Sequence, residues 1–324
     1  MKKVTKILGL CALMAFGAMS CKKSEQKELL SFKAIINQPT CNSKTHIDNE
    51  YIVRWNAGDQ ARVYIQDGTS ALFTTQDAEA TTTATFTLDP GETPLPASDK
   101  YAIFYPAELA STKQSNNKIS LTFPERQDYV ENGFATNTFP MAAIGSGFGS
   151  DLTFDFSTPC GLLCLQLYGE GITIGSIQLE DKDTQNPIAG TLTVNVDDIK
   201  VEDLDPDDYS YYDLFNFLRN FQKKTITLQC PNGGVPLNTS EGQAKKFYFV
   251  VPTYPVKFIN SPYAHVQNRV QVFSKGFKIK IYDNGGTKIM EKEATPNPES
   301  EIDYTMEAKK IIEMAPLKVS YQNN

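Results

Sequence analysis

Histidine is nearly absent: the 324-residue chain has two, His46 and His265. No G-x-S-x-G nucleophile motif accompanies either one, so the sequence offers no Ser-His-Asp or Cys-His unit. Both lie in polar loop stretches and read as solvated. Six cysteines are present, but no C-x2-C pair and no nearby histidine pair, which excludes the common zinc patterns. Basic residues are also short, 31 against 38 acidic for a formal net charge of -7. A nucleic-acid binder needs a basic footprint to displace counterions from phosphates, and this balance argues against one. No apolar run approaches the ~20 residues that span a bilayer. Tryptophan occurs once, at Trp55. What remains is 40% hydrophobic and 21% charged, enough for a packed core. The length suits two domains of common size.

The first residues are a targeting segment. Lys2, Lys3 and Lys6 precede the apolar stretch "ILGLCALMAFGAM" (7–19), and "GAMSC" ends at Cys21. A small residue before a cysteine at that place resembles the lipobox of bacterial lipoproteins. The resemblance implies cleavage before Cys21 and lipid on it. "CKKSEQKE" (21–28) then reads as a polar tether. Cys41, Cys160, Cys164 and Cys230 remain in the mature chain. On one strand, Cys160 and Cys164 are ~13 Å apart and cannot bond to each other. Buried free thiols are expected, with a disulfide between distant cysteines as the alternative.

Beyond the tether the hydrophobic period is two. Ala61, Val63 and Ile65 alternate with Arg62, Tyr64 and Gln66. The same pattern recurs through Phe86 and Leu88, Ile119 to Phe123, Leu152 to Phe156, Ile177 and Leu179, Leu192 to Val196, and Ile226 and Leu228. "GLLCLQLYG" is apolar at consecutive positions, as in a strand covered on both faces. Asn284-Gly285 after "GFKIKIYD" is a hairpin turn, because both residues accept positive φ. Many short strands with such turns predict β-sandwiches. One segment departs from the pattern. "DPDDYSYYDLFNFLRNFQKK" (205–224) spaces Leu214, Phe217, Leu218 and Phe221 as a helix does. Asp205 and Pro206 suit its start and Lys223 and Lys224 its end. The predicted fold is mainly β: two transthyretin-like β-sandwich domains in tandem, with one helical insertion in the second. The divisions are 1–20 signal, 21–28 tether, 29–169 first domain and 170–324 second domain, with the junction at the glycines of "YGEGIT".

Candidate chemistry is thin. Asp203, Asp205 and Asp207 imitate the start of a calcium loop, but Asp208 replaces the required Gly and Leu214 the closing Glu. Those acids also suit a helix N-terminus. "GSGFG" (145–149) precedes a strand, not the helix a phosphate cradle needs, and reads as a flexible connection. No metal, cofactor or catalytic residue is nominated. In "RWNAGDQARVYI" (54–65), Asn56 to Asp59 are turn formers ahead of a strand. Trp55 is expected to pack the core edge, with an aromatic sugar platform as the functional alternative.

The run W-N-A-G-D, from Trp55 through Gly58 to Asp59, resembles the signature early in the fimbrillin family, the Mfa-like subunits of type V pili. Further segments align in order: "SFKAIINQPT" (31–40), "SKT" (43–45), "YAIFYP" (101–106), "FPMAAIG" (139–145), "LTFDFSTPCGLLCLQL" (152–167), "FYFVVP" (247–252), "GFKIKIYDNGG" (276–286) and "KKIIEMAPLKV" (309–319). The resemblance implies a surface-exposed outer-membrane lipoprotein of the fimbrium, and a structural protein rather than an enzyme. It also implies partners: other fimbrial subunits joined by donor-strand exchange, the outer membrane through the lipid, and a host or bacterial surface ligand. In such assembly a protease removes the first strand, and a C-terminal strand of a neighbour fills the groove. Here Lys44 stands where relatives carry Arg, and is the expected processing position. Leu317, Val319 and Tyr321 alternate as the expected donor strand, with the last strand of the second domain as the alternative reading. The rival reading is a surface lipoprotein that binds glycans or host ligands and never polymerises.

Overall fold

The computed structural model describes residues 28–41, 52–65, 67–77, 79–110, 118–147, 152–183, 188–195, 221–253, 272–300 and 302–321. Its first eleven strands are β1 (Ser31–Ile36), β2 (Thr40–Cys41), β3 (Gln60–Ile65), β4 (Ser70–Thr75), β5 (Thr83–Leu88), β6 (Ser98–Tyr105), β7 (Lys118–Phe123), β8 (Arg126–Val130), β9 (Gly133–Phe134), β10 (Met141–Gly147) and β11 (Thr153–Phe156). The rest are β12 (Cys160–Tyr168), β13 (Thr173–Asp181), β14 (Ala189–Asn195), β15 (Phe221–Lys223), β16 (Thr225–Gln229), β17 (Val235–Pro236), β18 (Lys245–Pro252), β19 (Phe277–Asp283), β20 (Lys288–Ala294), β21 (Lys310–Glu313) and β22 (Leu317–Lys318). The protein is mainly β. Among the described residues the helical pieces are 3-10 turns of three residues.

The first sheet runs β10-β6-β3-β4-β5-β1-β11. Its two ends meet. Ala142 of β10 and Ser157, just past β11, exchange backbone bonds of 2.8 and 2.9 Å. The sheet therefore curls onto itself and leaves little unpaired edge. Period two then sends one residue in two inward, and Phe32, Phe73, Phe86, Phe154 and Phe156 fill the interior.

The second sheet runs β18-β12-β21-β2, with β22 also on β12. It is covered on both faces, as the run of apolar residues in β12 predicts. Val250, Leu162 and Ile311 lie side by side across three strands and enter the first core. Their neighbours Phe249, Leu163 and Ile312 point the other way, into a second core. Gly161 of β12 has no room for a side chain. An added Cβ would sit 2.7 and 2.8 Å from the carbonyl oxygens of Glu307 and Lys310, and against Met306 Sδ.

The second core is closed by a third sheet, β20-β19-β13-β16-β8-β9, through Ile177, Leu179, Ile226, Leu228, Ile279 and Ile281. Strands from both halves of the sequence pair here, where β8 runs parallel to β16, and in a separate three-stranded sheet, β15-β14-β7, where β7 runs antiparallel to β14. The buried Gln127 of β8 ties this sheet to the second one. Its Nε2 donates to the Val250 carbonyl at 2.7 Å, and the Val250 N–H donates to its Oε1 at 2.9 Å. One amide thus satisfies the outward N–H and carbonyl of Val250 on edge strand β18, as a further strand would at that position.

Two expectations change. The predicted helix over 205–224 does not reach its end: Phe221 to Lys223 form β15, paired with β14. Residues 205–220 lie outside the described residues. Strand pairing available only in the folded chain overrides local helical spacing there. The glycine stretch at 145–149 is not a free connection either, because Gly145 to Gly147 end β10. The Phe154 ring covers Gly145, leaving an added Cβ only 2.6 Å from it.

Candidate functional site

Strand β1 is built as a plug. Phe32, Ala34 and Ile36 are buried, while Ser31, Lys33 and Ile35 face out. The strand pairs antiparallel with β5 on one side and parallel with β11 on the other. Phe32 stacks on Phe86 at 5.3 Å, lies tilted against Phe73 at 5.3 Å, and meets the edge of Phe154 at 5.4 Å. Burying side chains such as Phe32 and Ile36 contributes roughly 1.5–3 kcal/mol each. Without β1 the seat would expose three phenylalanine rings and two unpaired strand edges, a combination that favours capture of another strand.

The W-N-A-G-D run closes a turn beside this seat. Gly58 has φ 82, a left-handed geometry that glycine adopts at no steric cost. The Asn56 N–H donates to Asp59 Oδ2 at 2.7 Å, and the Asp59 N–H donates back to the Asn56 carbonyl at 3.1 Å. Gly58 N–H and Thr75 N–H complete the turn, donating to Thr75 O at 3.1 Å and Asp59 O at 3.0 Å. The Tyr105 hydroxyl donates to the Asp59 carboxylate. Burial raises the pKa of Asp59 above the usual carboxylate value, against the lowering pull of the Asn56 and Tyr105 hydrogen bonds. Burial, and then the Asp59 charge, hold Tyr105 protonated.

Trp55 is 1% exposed. It meets Phe86, Tyr105 and Phe156 edge-on at 5.1, 4.9 and 5.1 Å. Its indole Nε1 is buried with no hydrogen-bond partner among the described residues. Phe86 touches both Trp55 and Phe32, so the turn signature and the β1 plug share one aromatic wall. Nothing local in the sequence links these segments. The inward positions of "ATFTL" and "DLTFDF" were the available signal.

At the other end, β22 lies beside β12, pairing Leu317 with Leu167 and Lys318 with Tyr168. The Val319 N–H donates to the Tyr168 carbonyl at 2.8 Å. Val319 is buried in the second core and Leu317 packs partly against it. Tyr321 is 53% exposed. The segment thus rests in its own chain with few backbone bonds. Cys21, Lys44, His46, His265 and the acids of 202–208 lie outside the described residues.

Cys160, Cys164 and Cys230 are buried and form no disulfide among the described residues. Burial pushes the Cys160 thiol up and the Cys230 thiol up to about 12, which leaves both un-ionised near neutral pH. Among the described residues no group of three or more His, Cys, Asp or Glu is placed to hold a metal ion. No helix among them is long and apolar enough to cross a membrane.

No family model matches the chain, and no curated protein does. Several solved structures are similar in shape. A candidate cell adhesion protein from Bacteroides ovatus aligns with TM-score 0.48 at 10% identity, over 92% of this chain and 96% of that one. A fimbrial protein from the same species aligns with TM-score 0.34 at 10% identity, over 92% of this chain and 51% of that one. A C-terminally truncated tip fimbrial protein from Porphyromonas gingivalis aligns with TM-score 0.31 at 11% identity, over 90% of this chain and 98% of that one.

Proposed function

We propose that the chain is a structural fimbrial subunit, or a fimbrillin-like accessory or anchor protein, held at the outer membrane by lipid on Cys21 and used in adhesion. The observation that carries this reading is the seat of β1. A strand near one end of the chain plugs an aromatic groove between β5 and β11 and is joined to the rest through the segment holding Lys44. Cleavage after Lys44 leaves β1 held by its two ladders, its apolar plugs and the short β2–β21 pairing that precedes the cut, while the Trp55 turn stays with the body. A donated strand then gains the same backbone bonds and the same burial. Leu317, Val319 and Tyr321 offer the alternation for it. Their hold on β12 combines a few backbone bonds, each about 1 kcal/mol net, with the burial of Val319, and a neighbour's groove that buries the same side chains offsets the cost of release.

The test is cleavage after residue 44 in vitro, followed by size analysis. Cleaved intact chains should form long oligomers, whereas cleaved chains truncated after Met314 should stay short. If both polymerise equally, the C-terminal segment is not the donor. If neither does, strand exchange at β1 is wrong.

A further inference from the structure

A cleft of about 560 Å³ opens where the first and second sheets meet. Its size falls in the range of small-molecule sites. Leu162, Tyr248 and Lys246 form its floor from one face of the second sheet, on alternate positions of paired strands. Arg54 and Asn56 line it from the approach to the Gly58 turn, and the β8–β9 hairpin supplies Asn132 and Phe134. Asn132 sits at φ 56, a left-handed conformation that Asn tolerates and that fixes the hairpin tip.

The charges are unequal. Lys246 is matched by the buried Glu313 at 2.9 Å. Arg54 has no carboxylate partner among the described residues, and its side chain is exposed at the cleft. One guanidinium unmatched among the described residues suits a single carboxylate, which it can hold through two parallel N–H bonds. It is too little for a polyanion such as nucleic acid. The wall beside it is aromatic: half-buried Phe134 is backed by buried Phe139, stacked at 4.6 Å. Such a surface receives the apolar face of a sugar ring. Around it, the exposed side chains of Asn56, Asn132 and Thr136 make no hydrogen bond among the described residues, leaving amides and a hydroxyl for sugar hydroxyls.

We infer that this cleft binds a carboxylate-bearing saccharide, a uronate or a sialate. Arg54 takes the carboxylate, Phe134 lies under the ring, and Asn56, Asn132 and Thr136 hold hydroxyls. The inference names a ligand class for the adhesion in the proposed function, yet it does not depend on polymerisation, because every residue it uses belongs to one chain.

The experiment uses uncleaved monomer spanning residues 21–324, so a failure of assembly leaves it unaffected. Calorimetric titration compares two matched pairs, cellobiouronic acid with cellobiose and sialyllactose with lactose, and an acidic pentaglutamate peptide. The expected result is that the acidic member of at least one pair binds at least about tenfold tighter than its neutral partner, as for one charge-assisted pair. Which pair responds separates uronate from sialate. Arg54→Gln should remove the preference without changing the melting temperature, and Phe134→Ala should weaken whatever binding remains. The inference is overturned if acidic and neutral sugars bind alike, if none binds, if Arg54→Gln keeps the preference, or if the peptide competes as well as the sugar.

Discussion

Replacing Trp55 by alanine removes a side chain that is 1% exposed and meets three aromatic rings edge-on within 5.1 Å. Large aromatic truncations in cores cost about 3–5 kcal/mol. A second term opposes this. The indole Nε1 is buried without an acceptor among the described residues, and such an orphan costs about 1–3 kcal/mol in the native protein. Truncation relieves that cost, so the net loss should sit near the low end, about 3 kcal/mol. With a urea m-value of about 3 kcal/mol/M, the midpoint of the transition that melts the first core should fall by about 1 M. Trp55→Phe keeps an aromatic ring against Phe86 and removes the orphan donor, and should cost less than about 1.5 kcal/mol. Far-UV circular dichroism is the suitable probe, because Trp55 is the only tryptophan and its fluorescence disappears with it. An unchanged midpoint for Trp55→Ala, with saccharide binding lost instead, would move Trp55 from packing to recognition. A Trp55→Phe penalty as large as that of alanine would show that the indole nitrogen holds the site after all.

Cys21→Ser should leave the precursor uncleaved and unlabelled by fatty acid; a mutant that still carries lipid at the outer membrane removes the anchor from the proposal. Gly161→Ala should destabilise the protein by about 1–3 kcal/mol through overpacking, since the new Cβ meets two backbone carbonyls that cannot rotate away; an unchanged thermal midpoint would refute that crowding. For Asp59 burial raises the folded pKa above the ordinary carboxylate value, so between the unfolded and folded values the native state binds more protons. Its contribution to stability should therefore be greatest below that window and fall as pH rises through it. Subtracting the pH profile of Asp59→Asn from that of the wild type isolates this term, and a difference that rises with pH across the window would contradict the burial of the carboxylate.

Strand content was legible because period two is a local signal: Phe32, Ala34 and Ile36 face inward wherever β1 is placed. The two-faced burial of β12 was equally legible, since Leu162 and Leu163 are both apolar and only cover on both sides accounts for that. The turn at Asn56 to Asp59 could be read from residues that accept its geometry. Pairing is another matter, because it joins segments far apart and register depends on what the partner offers. Hence the tertiary structure alone shows that Ala142 and Ser157 close the first sheet, that β8 joins β16, and that β22 lies on β12. It also turns Phe221 to Lys223 from a helical pattern into a strand and gives Gly145 a reason in the Phe154 ring. The cleft is the extreme case: Arg54 and Lys246 carry no shared motif. That Lys246 is matched by a carboxylate depends on Glu313, which β21 brings beside β12 only after the chain has folded.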